Sequence, residues 1–223
     1  MRVRTTVLFL PALLLSAVTA CSTFSSESGV GGPSAPSPSA ASASAAPLPS
    51  DRLRARLLTA ADLGPGYTVR FTDTPASSGG EVLGCEPLER LAAGTGDPYA
   101  RFPARARAGI TGPGPTKVTE ELFSAAPAEL SAGIRRIMSA MTACPTYRLA
   151  IAATVVEVST RITPAPPLGE EQWAQIVTVR ANGRSQVTQQ VVVRDGSLLM
   201  VLSGSPAEVK LHVERALDKA AAR

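Results

Sequence analysis

The chain has 223 residues, with 22 basic and 18 acidic side chains, three cysteines and one histidine. Its hydrophobic share is 44% and its aromatic share 4%, which suits one domain or two small ones. Arg2 and Arg4 lie in a segment argued below to be removed; the remaining charge is small and evenly spread, which speaks against nucleic-acid binding, and a lone histidine speaks against histidine-based metal or acid–base sites.

Residues 1–20 read as a secretory leader. Arg2 and Arg4 form a basic start, and Val7 to Leu15 is an apolar run interrupted by Pro11. That run is too short for a resident membrane helix. Val18-Thr19-Ala20-Cys21 closes it. Small residues before a cysteine at this place resemble the lipobox of bacterial lipoproteins. The resemblance implies cleavage before Cys21, a diacylglycerol on Cys21 and acylation of the new amino terminus. It places the protein on the extracytoplasmic face of the cell membrane, held by lipid; several acyl chains make such anchoring stable where one is marginal. An ordinary signal followed by a chance cysteine is the alternative.

Cys85 and Cys144 then remain, an even pair in an oxidising compartment. A disulfide between them closes a loop of 59 residues, for which the chain-entropy model gives roughly 4 kcal/mol. Two buried free thiols are the other possibility. No CxxC is present, which removes the usual redox and zinc-ribbon motifs.

Residues 21–50 contain ten Ser, six Ala, five Pro and three Gly, with Glu27 as the only charge. Such a composition buries too little surface to repay ordering and predicts a disordered linker. As a flexible coil it spans about 30 Å, enough to hold the domain away from the membrane.

Residues 51–223 form the globular part. A first helix is expected from Asp51 to about Ala61, capped by Ser50 or Asp51, with Leu53, Leu57 and Leu58 on one face. Tyr67 to Thr72 alternates like a strand. A short helix is expected near Cys85, with Pro87 in its first turn. Gly94 to Gly114 reads as a long surface loop, and Lys117 to Phe123 as a strand. Leu130, Ile134, Ile137, Met138 and Met141 keep helical spacing behind Ser124 as a cap, and Pro145 ends that helix just after Cys144. From Thr154 the period becomes two. Strands are expected around Val156 and Val158, then at Trp173 to Arg180, Gln186 to Arg194 and Ser197 to Leu202. Asn182-Gly183 and Asp195-Gly196 supply the hairpin turns, and Val187, Val191 and Val193 should face the core. Ser205-Pro206-Ala207-Glu208 opens the last helix as a capping box. The predicted class is α+β: an antiparallel sheet of about four to six strands, ending in a C-terminal meander, with helices packed on one face.

Leu57 to Leu63, the helix ending at Cys144, Pro167 to Glu171, Val191 to Gly196 and the closing helix resemble the PknH-like extracellular sensor domains and related actinobacterial lipoproteins. Here Met141 stands where members often carry Trp, and the cysteines for a second disulfide of the kinase-attached members are absent. The resemblance implies an antiparallel sheet with helices packed around a cleft, and a sensor or binding role rather than an enzymatic one.

His212 is expected in the closing helix, one position from its apolar stripe, as a residue at the boundary between core and solvent instead of a catalyst. Glu120-Glu121 and Glu170-Glu171 are adjacent pairs, and neighbours on a strand point to opposite faces unless the backbone turns. HExxH, G-x-S-x-G, P-loop and GxGxxG motifs are absent, so no catalytic residue, metal or cofactor is assigned. Tyr99, Arg101, Phe102, Arg105 and Arg107 interleave aromatics with arginines. Guanidinium forks suit phosphate or carboxylate, and rings suit sugars or acyl chains. A binding lip for an anionic envelope component is one reading; a solvated arginine-rich loop is the other, and 19 of the 22 basic residues being arginine favours it. The function expected is that of a membrane-anchored, non-catalytic ligand-binding or sensor lipoprotein, with a small-molecule or envelope ligand and no nucleic acid. The alternative is a carrier of a lipid or glycolipid, which needs a large apolar cavity.

Overall fold

In the computed structural model, which describes residues 46–72, 80–93, 95–114 and 116–222, the first element is helix α1 (Ser50–Arg56). Leu53, Leu57 and Leu58 are fully buried, as their spacing predicts. The helix is shorter than expected. Leu57 turns extended, and a second helix, α2 (Ala60–Leu63), begins behind Thr59. The Asp62 carboxylate explains the restart: it accepts from both the Thr59 N–H and the Thr59 hydroxyl, at 2.7 and 2.6 Å. Pro49, not Ser50 or Asp51, holds the N-cap of α1. The Ser50 hydroxyl is used elsewhere, accepting from the Arg105 N–H.

The remaining elements are β1 (Thr68–Thr72), β2 (Glu81–Leu83), α3 (Glu86–Ala92), β3 (Ala104–Thr111), β4 (Lys117–Ser124), α4 (Pro127–Ala143), β5 (Thr146–Ile151), β6 (Thr154–Thr163), β7 (Glu171–Ala181), β8 (Arg184–Asp195), β9 (Leu198–Gly204) and α5 (Pro206–Ala221). Among the described residues the strands form one antiparallel sheet in the order β1-β3-β4-β9-β8-β7-β6-β5-β2. The α+β class and the C-terminal meander stand. The sheet has nine strands rather than four to six. One addition, β3, lies in the segment expected to be a loop. Arg105 and Arg107, on the α4 side, alternate with Ala106, Ala108 and Ile110, which are buried on the other face; alanine is too small to make that alternation conspicuous.

Helices cover both faces rather than one. Val191 and Val193 of β8 join a core with Leu53, Leu58, Val209, Val213 and Leu217 from the α1 and α5 side. Val192, between them, packs with Leu130, Ile134 and Ile137 of α4 on the other side. A strand buried on both faces reads as a continuous apolar run, and Leu198 to Leu202 is buried along its whole length for the same reason. Val187 lies on the α5 side of β8 yet is 48% exposed, because it sits beyond the residues joined to that core.

Asn182 and Gly183 both take positive φ, 50° and 72°, and close the β7–β8 hairpin. The next turn is displaced by one residue. Asp195 pairs with Leu198, so Gly196 and Ser197 are central and only Gly196 has positive φ. Ser124 ends β4 and does not cap α4, whose N-cap is Ala126 followed by Pro127. The Ser124 hydroxyl instead donates to the Ser197 carbonyl and accepts from the Leu48 N–H, joining the N-terminal segment to the sheet. Cys85 and Cys144 form a disulfide with a Cα–Cα distance of 5.9 Å, tying the N-cap of α3 to the C-cap of α4. No helix among the described residues is long and apolar enough to cross a membrane.

Candidate functional site

The aromatic–arginine segment is not a lip. Tyr99 and Phe102 are core residues, 6% and 1% exposed. Their rings lie 5.3 and 5.8 Å from that of Phe123, beneath α4, and the Arg101 guanidinium lies over the Phe102 ring. Arg105 pairs with Asp97 at 2.8 Å and Arg107 with Glu121 at 3.7 Å. The five residues do gather in one region, but they form packing and internal charge pairs. Burial pushes the Glu121 carboxyl up to about 7, with Arg107 pulling it back. Burial, with Glu121 and Asp97 nearby, also drives the Tyr99 phenol far above its usual range. Cys21 lies outside the described residues.

The acidic pairs behave differently from each other. Glu120 and Glu121 point to opposite faces of β4, as neighbours on a strand must. Glu120 is completely buried; its Oε2 accepts from the Leu58 N–H at 2.8 Å. Burial pushes its carboxyl up to about 7, against the pull of that N–H and of Lys219. Glu170 and Glu171 converge, because Gly169, at φ 64°, turns the chain immediately before β7. Both hold the Arg194 guanidinium at 2.7 Å, a clamp fastening the start of β7 to β8. His212 is not a boundary residue. It is 3% exposed, and its Nε2 lies 3.2 Å from both the Tyr67 hydroxyl and Glu208. Ser205 caps α5 through the Glu208 N–H, but the Glu208 side chain turns to Tyr67 and His212 instead of completing the box.

A hollow with ligand-sized room and an apolar wall lies at the β2 end of the sheet, and a more open one of about 620 Å³ lies at the β7–β8 turn. Pro87 starts α3, the disulfide fastens it to the end of α4, and β2 is only three residues long. Helices and sheet therefore do not close on one another. A cavity of about 310 Å³ remains, walled by Val82, Leu88, Met141, Tyr147, Leu149 and Ile151. A second, more open hollow of about 540 Å³ shares Gly80, Val82, Ala92 and Gly96 with it and carries Glu81, Glu89 and Thr95. Glu89 is oriented by its Oε1, which accepts from the Gly84 and Cys85 N–H groups at 2.7 and 3.1 Å. The inner hollow is mostly apolar, and the outer one is mixed, with Glu81, Glu89 and Thr95 beside Val82, Leu83, Ala92 and Ala93. On the neighbouring floor of the sheet, the Gln175 amide donates to Gln190 and to the Met141 sulfur, and Gln190 donates to Ser203. The chain of polar groups thus starts beside the cavity wall. Among the described residues no group of three or more His, Cys, Asp or Glu side chains gathers to hold a metal ion. Sequence reasoning missed this hollow because β2 and β5 (its walls) were not recognised. The apolar alternation of Tyr147, Leu149 and Ile151 was the available signal.

The antiparallel sheet between helices is similar in fold to a solved extracellular domain. The solved extracellular domain of PknH from Mycobacterium tuberculosis matches with a TM-score of 0.58 at 15% identity, over 78% of this chain and 97% of that one. An uncharacterised protein from Mycobacterium smegmatis, an Rv0999 ortholog, matches with a TM-score of 0.41 at 11% identity, over 71% of this chain and 91% of that one. No protein-family model matches the chain. No curated protein matches it by sequence.

Proposed function

We propose that the protein is a lipid-anchored extracytoplasmic lipoprotein whose domain binds a small ligand without transforming it. The observation that carries this reading is the two-part hollow beside the disulfide, at the lower end of the size range of small-molecule sites. The leader ending in Cys21, the Ser/Ala/Pro linker and a disulfide suited to an oxidising compartment support the location. A fold shared with an extracellular domain is consistent with it. The partners in this reading are the membrane, through the acyl chains on Cys21, and a small molecule of the envelope; the Arg-rich segment is no part of the site.

Native mass spectrometry of the chain purified from its host's envelope tests the reading. A bound species of defined mass, lost when Ala92 is replaced by Phe, is expected; Ala92 lines both hollows. Recovery of the bare chain alone, under conditions that preserve its fold, overturns the assignment. A bound lipid with two or more chains favours the carrier reading.

A further inference from the structure

The cavity's chemistry narrows the ligand. Val82, Met141, Tyr147 and Leu149 are only half-buried, and Ile151 is 46% exposed, although all five face one hollow. Val82, Met141 and Tyr147 pack against the small apolar cluster centred on Cys85, Leu88 and Ala140, and Leu149 and Ile151 continue the wall beside them. Apolar surface grouped in this way favours an apolar occupant. A volume of about 310 Å³ has room for on the order of ten methylene groups at the packing density of a protein interior. That suits the end of one aliphatic chain; a second chain needs about twice the space.

The outer hollow restricts the head. Its charged lining residues are Glu81 and Glu89, and among the described residues lining the two hollows none is Lys or Arg. Glu89 is fixed there by the Gly84 and Cys85 N–H groups. A carboxylate or phosphate head meets like charge, whereas hydroxyl, amide or ammonium groups meet acceptors. We propose that the site takes a single-chain amphiphile, with the aliphatic end against Leu149 and Ile151 and an uncharged or cationic head beside Glu81 and Glu89. This rests on the reading of the domain as a ligand binder and specifies its ligand class.

Isothermal titration tests it on the mature chain, residues 21–223, carrying Cys21→Ser, so that no leader, acyl anchor or detergent competes. The probes are glycerol monolaurate, laurate, dodecyltrimethylammonium and dilauroyl phosphatidylglycerol, the single-chain probes kept below micelle formation. Glycerol monolaurate and the ammonium are expected to bind one to one. Laurate should bind more weakly by about threefold, the scale of one partly screened charge, and Glu81→Lys should narrow that gap. The two-chain lipid should bind at least about tenfold more weakly than glycerol monolaurate. Ala92→Phe should abolish binding, and if that variant does not fold, shifts of the Met141 and Ile151 methyl resonances locate the probe instead. Equal or tighter binding of laurate overturns the head-group assignment, and equal binding of the two-chain lipid overturns the single chain. Methyl shifts elsewhere, or no binding by any probe, overturn the proposal as a whole. An envelope ligand that still appears in the mass spectrum and is lost in Ala92→Phe would then leave the broader reading standing.

Discussion

Gly133 shows how closely one position can be specified. It lies inside α4, where glycine costs about 1 kcal/mol relative to alanine. The reason is across the interface: a Cβ at this position would stand 2.5 and 2.9 Å from two atoms of the Phe102 ring. That ring is 1% exposed and wedged against Phe123, so it has nowhere to move. Gly133→Ala is therefore expected to destabilise the domain by about 1–3 kcal/mol despite the better helix propensity. Chemical denaturation checks it, and a stabilised variant would show that the ring swings aside. The same contact explains why the aromatic–arginine segment misled. Tyr99 and Phe102 were conspicuous as residue types, but what decides their role is a glycine 31 positions further along the chain, which lets α4 close over them.

At the scale of elements, the disulfide joins α3 to α4 at the wall of the hollow. Replacing Cys85 and Cys144 together by Ser should cost about 4 kcal/mol if loop entropy dominates. The melting temperature of the double variant measures that loss. Ligand binding in the hollow should weaken with it, since α3 loses its tie to α4. An unchanged melting temperature would show that α3 is held by Leu88 and its neighbours alone. The helices with i, i+4 apolar spacing were legible, as were the Asn182-Gly183 turn and the Cys85–Cys144 pairing. The β5–β6 turn was not. Its central residues are Ala152 and Ala153, and Ala152 adopts φ 50° without being Gly or Asn. With that turn unsignalled, β5 went unrecognised, and so did the short β2 that pairs with it. The wall of the candidate site was therefore the least legible part of the fold. The position of α4 was readable from Leu130 to Met141, yet the second helical layer was not inferred. Val191-Val192-Val193 is an apolar run instead of an alternation, and a run of this kind means burial on both faces.

For the whole molecule, buried and paired carboxyls set how stability depends on pH; Glu171, lowered against burial by hydrogen bonds from Ser131 and Arg194, adds to the same acid limb as Asp62. Burial raises the folded-state carboxyls of Glu120 and Glu121 from 4.5 to about 7. The folded state then binds more protons than the unfolded one between those values, so stability is full below about 4.5 and is lost as pH rises through about 7. Asp62 acts in the opposite sense. Burial opposes its ionisation, but hydrogen bonds from Lys219 and Thr59 outweigh that and hold its carboxyl at about 2 instead of 3.8. Its contribution is present above 3.8 and fades as pH falls toward 2. The two limbs predict maximal stability near pH 4, between 3.8 and 4.5, with a decline on the order of a few kcal/mol by pH 8, because both glutamates act together. Urea midpoints measured from pH 3 to pH 9 trace this curve. Glu120→Gln separates the contributions: the amide oxygen still accepts from the Leu58 N–H, while the charge that burial disfavours is gone. That variant should match the parent near pH 4, exceed it at pH 8, and show a shallower alkaline limb carried by Glu121. A parent protein more stable at pH 8 than at pH 5 would mean that these carboxylates ionise inside the fold at little cost, through water reaching the sheet from the α1 or Tyr99 side.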